Sequence, residues 1–139
     1  ALVAGASQKV ADSLYEFGTE FGRAFQLVDD LLDLTGDPSM GKPRGTDVHE
    51  GKMTLPLIHA LTTLHGAERE HLADVLNNFS DDRWNELHSL LEISDSMEYV
   101  KQLIQNHVDR ALKILDSLPF SPARELMSEV ALVSKKRRI

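Results

Sequence analysis

Apolar residues recur at three- and four-residue spacing along nearly the whole of this 139-residue chain. That period constrains the fold more than any other feature. No stretch sustains the apolar–polar alternation of a half-buried strand, and only 6% of the residues are aromatic. The expectation is an all-α helical bundle, one domain long enough to bury a real core. No apolar run approaches the roughly 18 residues that would cross a membrane, so the chain reads as soluble. A net charge of −7 argues against nucleic acid as a partner. The absence of cysteine excludes disulfides and zinc–thiolate sites and fits a reducing, cytoplasmic setting.

Capping signals divide the helical pattern. Ser7 can cap a helix from about Gln8 to Leu34. Thr35-Gly36-Asp37-Pro38-Ser39 ends it, and Gly41, Pro43 and Gly45 are expected to keep 41–47 irregular. Thr54, with Pro56 in the first turn, opens a helix that ends near His65-Gly66. Further helices are expected over 67–77, 80–93, 95–118 and 121–138. Asp95 with Glu98 has capping-box spacing, and Ser121-Pro122 is an N-cap followed by proline. These later helices read as scaffold, with Trp84 and Tyr99 as core or interface anchors. The six histidines, His49, His59, His65, His71, His88 and His107, show no i, i+4 metal pairing.

The first long helix carries the chemistry. At 100° per residue, Leu14, Phe17, Phe21, Phe25, Val28 and Leu32 form one stripe, with Glu16, Glu20 and Arg23 opposite and wet. Between them, within an arc of roughly 120°, lie Gly18, Gly22, Gln26, Asp29, Asp30 and Asp33. Glycine costs about 1 kcal/mol against alanine in a helix interior. Gly18 and Gly22 therefore serve either close helix packing or room for a ligand. Asp29 and Asp33 project side by side and can share a cation; Asp30, turned by about 100°, suits the surrounding hydration shell. Leu27, Leu31, Leu32 and Leu34 interleave with these acids. Carboxylates on so apolar a segment need a partner, and hard oxygen donors suit Mg²⁺. The loop Gly41-Lys42-Pro43-Arg44-Gly45-Thr46-Asp47, followed by Glu50-Gly51-Lys52, supplies cations for a phosphate.

These residues resemble a family pattern. Gly22, Phe25, Gln26, Asp29, Asp30 and Asp33 match Gly-x-x-Phe-Gln-x-x-Asp-Asp-x-x-Asp, the second aspartate-rich region of the trans-isoprenyl diphosphate synthases, the polyprenyl synthetase family. Gly41 through Pro56 match the Gly-Lys-Pro-x-Gly-x-Asp-x-x-Glu-Gly-Lys-x-Thr-Leu-Pro that follows. Leu118-Pro119, Ser121-Pro122 and Arg124-Glu125 resemble the family's last helices. The resemblance implies an all-helical isoprenoid synthase fold that condenses isopentenyl diphosphate with an allylic diphosphate. It implies Mg²⁺ held by Asp29, with Asp30, Asp33 and Asp47 acting directly or through water. Lys42 and Lys52 would hold the leaving diphosphate, with Asp47 in the substrate site and Gln26 lining it near the reacting groups.

The family's first Asp-Asp-x-x-Asp motif is missing from this sequence, and so are its basic isopentenyl diphosphate residues. Residues 1–139 therefore resemble the C-terminal half of the family domain. Ala1-Leu2-Val3-Ala4-Gly5-Ala6 reads as a chain entered within a helix. The expectations are a piece inactive by itself, and helix faces exposed enough to drive formation of a homodimer or higher oligomer, or a rearrangement of the helices. The wording Glu50 to Leu61 is closer to long-chain or geranylgeranyl-type members. The basic stretch Lys135 to Arg138 resembles tails that close over the isopentenyl diphosphate site in some members, or is a solvated end. Two alternatives stand beside this reading: a non-catalytic subunit of a heteromeric prenyl diphosphate synthase, and a terpene cyclase using the same metal site.

Overall fold

The computed structural model describes residues 1–36 and 45–136, with side chains as far as Val133. Among the described residues seven α-helices follow one another: α1 Gln8–Thr35, α2 Thr46–His49, α3 Leu55–Thr63, α4 Gly66–Asn77, α5 Trp84–Ile93, α6 Ser96–Asp116 and α7 Pro122–Lys136. Short 3₁₀ turns stand at Leu2–Ala4 and Asp81–Arg83. Among the described residues there is no strand, as the period requires.

Side-chain caps mark the starts of two helices. Ser7 Oγ accepts the Val10 N–H at 3.4 Å at the start of α1, and Ser121 Oγ accepts the Arg124 N–H at 3.2 Å ahead of α7. Thr54 holds the N-cap position of α3, but its hydroxyl makes no cap bond. The capping box read at Asp95 is replaced by a tight joint. Asp95 takes φ 50°, and the buried Ser94 and Ser96 hydroxyls bond each other at 2.6 Å. The helix expected from Ser80 begins as a 3₁₀ turn and becomes α-helical at Trp84.

The chain forms two compact units, Ala1–Val28 with Gln102–Arg138, and Asp29–Lys101. In the first, Phe17 packs with Ala111 and Leu115, and Phe21, Ile114, Leu118 and Met127 close around them. In the second, Leu34, Val48, Leu57, Leu72, Val75, Trp84, Leu87 and Leu91 form one cluster.

Two readings of α1 need correction. Phe25, placed in the buried stripe, is 50% exposed, whereas Ala24 and Val28 are buried. On the wheel Phe25 falls beside Gly18 and Asp29, so it belongs to the acidic stripe. Glu20, expected to be wet, is only 15% exposed and accepts a hydrogen bond from His107 Nδ1 at 2.7 Å. Close packing at the glycines is also ruled out among the described residues: a Cβ at Gly18 or Gly22 would meet nothing within 4 Å.

Candidate diphosphate and metal site

Asp33 is the pivot of the site. It lies half-buried in the last turns of α1. Its Oδ2 accepts the Asp47 N–H at 3.2 Å, and the Thr46 backbone N–H also bonds the carboxylate. Its main-chain carbonyl accepts the Gly45 N–H at 2.8 Å. The end of α1 thus caps the start of α2, with a carboxylate against free helical N–H groups. Thr46 and Asp47 are helical, not irregular as expected for 41–47, because Asp33 satisfies their amides from 13 and 14 residues away in sequence. Gly41 to Arg44 lie outside the described residues, and with them Lys42.

Burial pushes the Asp33 carboxyl above the ordinary aspartate range; the Asp47 and Thr46 amides pull it back, and the charges of Asp47 and Asp29 push it up again. Asp29 and Asp30, on the same helix, are likewise half-buried. Gln26, in the first unit's stretch of α1, is exposed.

Asp47 is shared between two partners. Its amide serves Asp33, while its Oδ1 accepts a hydrogen bond from Lys52 Nζ at 2.8 Å. Lys52 Nζ also lies 2.7 Å from Glu50 Oε2. These two carboxylates hold the ammonium well above the ordinary lysine range. Lys52 remains 58% exposed, so it is a solvated cation parked on acids beside the site. Glu50 was not foreseen as its partner.

The turn itself depends on Gly45. Its φ is 70°, and a Cβ there would stand 2.5 Å from Trp84 Cζ3. No sequence signal links Gly45 to Trp84, 39 positions on. Five of the six histidines have local roles: His49 with Asp81, His59 with Ser96, His71 with Glu86, His88 with the Leu34 carbonyl and His107 with Glu20.

Among the described residues no group of three or more His, Asp or Glu is close enough to hold a metal ion alone. The donor set still fits a hard cation. Mg²⁺ is commonly held by one or two carboxylates together with phosphate oxygens, and a half-buried, mutually repelling set of acids around Asp33 suits that share of the coordination.

Residues 1–93 match the family model described as polyprenyl synthetase. The chain belongs to the polyprenyl synthetase family. Relatives of this polyprenyl synthetase chain align along nearly its full length. Heptaprenyl diphosphate synthase component 2 of Geobacillus stearothermophilus is 36% identical over 99% of the chain and 42% of the relative. Octaprenyl diphosphate synthase of Escherichia coli is 33% identical over 98% of the chain and 43% of the relative. Among solved structures, a geranylgeranyl pyrophosphate synthase from Corynebacterium glutamicum, complexed with isoprenyl diphosphate and magnesium, superposes with a TM-score of 0.88. It shares 30% identity, covering 98% of this chain and 40% of that one. A polyprenyl synthase from Caulobacter crescentus, complexed with calcium and isoprenyl diphosphate, also gives 0.88 at 30% identity, covering 100% of this chain and 43% of that one. The chain therefore spans about two fifths of the length of these relatives, at 40–43%.

Proposed function

We propose that this chain is the magnesium–diphosphate-binding C-terminal part of a trans-prenyltransferase that condenses isopentenyl diphosphate with an allylic diphosphate. The observation that carries the reading is the Asp33–Asp47 joint, where half-buried acids and a lysine converge within the stretch that matches the family's second aspartate-rich region and the loop after it. Solved relatives holding isoprenyl diphosphate with magnesium or calcium support it.

The residues divide the work. Asp29, Asp30 and Asp33 offer oxygens to a divalent cation, Asp29 directly. When bound, magnesium would neutralise charge on the departing diphosphate. Asp47, oriented by its own amide and by Lys52, borders the substrate. Lys52 would exchange a carboxylate for a diphosphate oxygen, a hand-over between ion pairs that a flexible, exposed ammonium can make. Lys42 would act in the same way, and the Gln26 amide would donate to the substrate. The apolar helices would keep water from the allylic centre.

One aspartate-rich helix cannot clamp a diphosphate from two sides, and this sequence has no second Asp-Asp-x-x-Asp. The purified chain is therefore expected to bind magnesium pyrophosphate but not to turn over allylic and isopentenyl diphosphates. Product analysis after incubation with both substrates and Mg²⁺ tests this; turnover at ordinary enzyme rates would overturn the half-site reading. A long-chain or geranylgeranyl-type product is favoured for the whole enzyme, and the protein is read as cytoplasmic and homodimeric. A second reading, a subunit of a heteromeric synthase, is favoured by the relative named as component 2. Co-purification with an unlike subunit would distinguish it.

A further inference from the structure

We infer that Trp84 and His88, both on α5, are positioning residues that set where the Asp33 and Asp47 carboxylates stand. The inference rests on the magnesium–diphosphate reading above and deepens it.

α2 cannot hold its own shape. Four residues are far too few for a self-sustaining helix, so its place must be imposed from outside. Asp33 imposes it from one side and α5 from the other. The six-membered ring of Trp84 lies under Gly45, 2.5 Å and 3.1 Å (Cζ3 and Cη2) from where a Cβ would be. Only a glycine turn fits over that ring. The Gly45 amide then reaches the Asp33 carbonyl at 2.8 Å, and two residues on the Asp47 amide reaches the Asp33 carboxylate.

His88, one turn along α5, grips the other partner. Its Nε2 lies 2.8 Å from the Leu34 carbonyl, the residue after Asp33. A carbonyl can only accept, so Nε2 carries the hydrogen. The Trp84 and His88 rings stand 5.1 Å apart, and Phe79 meets Trp84 edge-on at 5.7 Å and His49, the last residue of α2, at 4.9 Å. Trp84 is 6% exposed and packs in the same cluster as Leu34 and Val48. One rigid aromatic row thus touches the end of α1 and both ends of α2. The carboxylate that should meet the cation and the carboxylate that holds Lys52 are fixed relative to each other through it. Phe79, Trp84 and His88 all lie outside the Gly22–Pro56 stretch that carries the aspartate-rich pattern and its loop.

Calorimetric titration with Mg²⁺ and inorganic pyrophosphate tests the inference, with thermal unfolding measured on the same samples. Trp84→Leu, which keeps apolar bulk but removes the flat ring, should weaken binding by about tenfold or more, the usual cost of losing an orienting residue behind a metal ligand. Trp84→Phe should recover most of that loss. His88→Leu should weaken binding, and His88→Gln, which retains a donor at the same place, should restore it; this pair keeps the test open if the Trp84 variants fail to fold. Leu72→Ala, a buried change in the same unit at α4, should lower the unfolding midpoint and leave affinity unaltered. The inference is overturned if Trp84→Leu and His88→Leu bind like the unaltered chain, or if Leu72→Ala weakens binding as much as they do. If the unaltered chain binds no magnesium pyrophosphate, the functional reading itself fails and the positioning roles fall with it.

Discussion

At the scale of single residues, Asp33 has two tasks that pull in opposite directions. As a cap it accepts two amides from α2; as a half-buried acid beside Asp29 and Asp47 it is costly to ionise. The two tasks separate by substitution. Asp33→Asn keeps an acceptor and removes the charge, so the unfolding midpoint should hold or rise while magnesium pyrophosphate binding is lost, a familiar exchange of function for stability. Asp33→Ala also removes the acceptor and should destabilise by about 1–2 kcal/mol. Thermal unfolding and calorimetry on both variants check this; an Asn variant as unstable as the Ala variant would deny Asp33 its repulsive surroundings. Glu20 offers the opposite case. The His107 hydrogen bond, helped by the charges of His107, Arg110 and Arg23, outweighs burial and depresses the Glu20 carboxyl below its ordinary 4.5. A depressed carboxylate stabilises the fold fully above its unfolded value and loses that contribution as pH falls through the folded value. Stability should therefore decline on acidification below about pH 4.5, the ordinary glutamate value. His107→Leu should cost about 1.5–3 kcal/mol near neutrality and flatten that acid limb, as read from denaturant midpoints across pH.

At the scale of elements, α1 carries glycines that serve no packing purpose in the described structure. A Cβ at Gly18 or Gly22 meets open space, and neither glycine is at positive φ. Replacing either by alanine should stabilise the helix by about 0.5–1 kcal/mol. Unfolding midpoints check this, and a fall on either substitution would show that the backbone there needs glycine. Such a gain would also mean that the open face is kept for something other than stability. The helix itself was legible in the sequence because its determinants are local: Ser7 before a 3.6-residue period, Gly36 after it, and the same for Ser121-Pro122 ahead of α7. What was not legible depends on distant partners. α2 exists because Asp33 caps it and Trp84 underlies it, and neither contact leaves a mark within 41–47. Glu20 reads as wet until His107, 87 residues away, covers it. Phe25 departs from the expected stripe for a different reason. A helix wheel fixes angles but not which of two adjoining apolar arcs meets the core, and Ala24, too small to weigh in the pattern, turned out to be fully buried. The acidic stripe was readable as a stripe; its division between cap and ligand was not.

At the scale of the whole molecule, α7 presents two faces. Ala131 is buried and Met127 packs against the first unit's core. On another side Leu126, Val130 and Val133, at i, i+4 and i+7, are 60%, 49% and 60% exposed, and Phe120 just before the helix is 68% exposed. A continuous apolar stripe of this kind is uncommon on a lone soluble domain and favours burial against another surface. The simplest closed arrangement available to identical chains is a two-fold pair, in which the same stripe meets itself. A 15.5 kDa chain should then scatter light as about twice its mass. Leu126→Glu combined with Val133→Glu places charge at both ends of the stripe without touching the buried side of α7. That variant should return to a monomer while helical circular dichroism and the unfolding midpoint stay near those of the unaltered chain. A monodisperse monomer before substitution would remove the case for pairing. Association that survives the double substitution would move the interface away from α7, to other exposed apolar residues such as Tyr15 or Ile93.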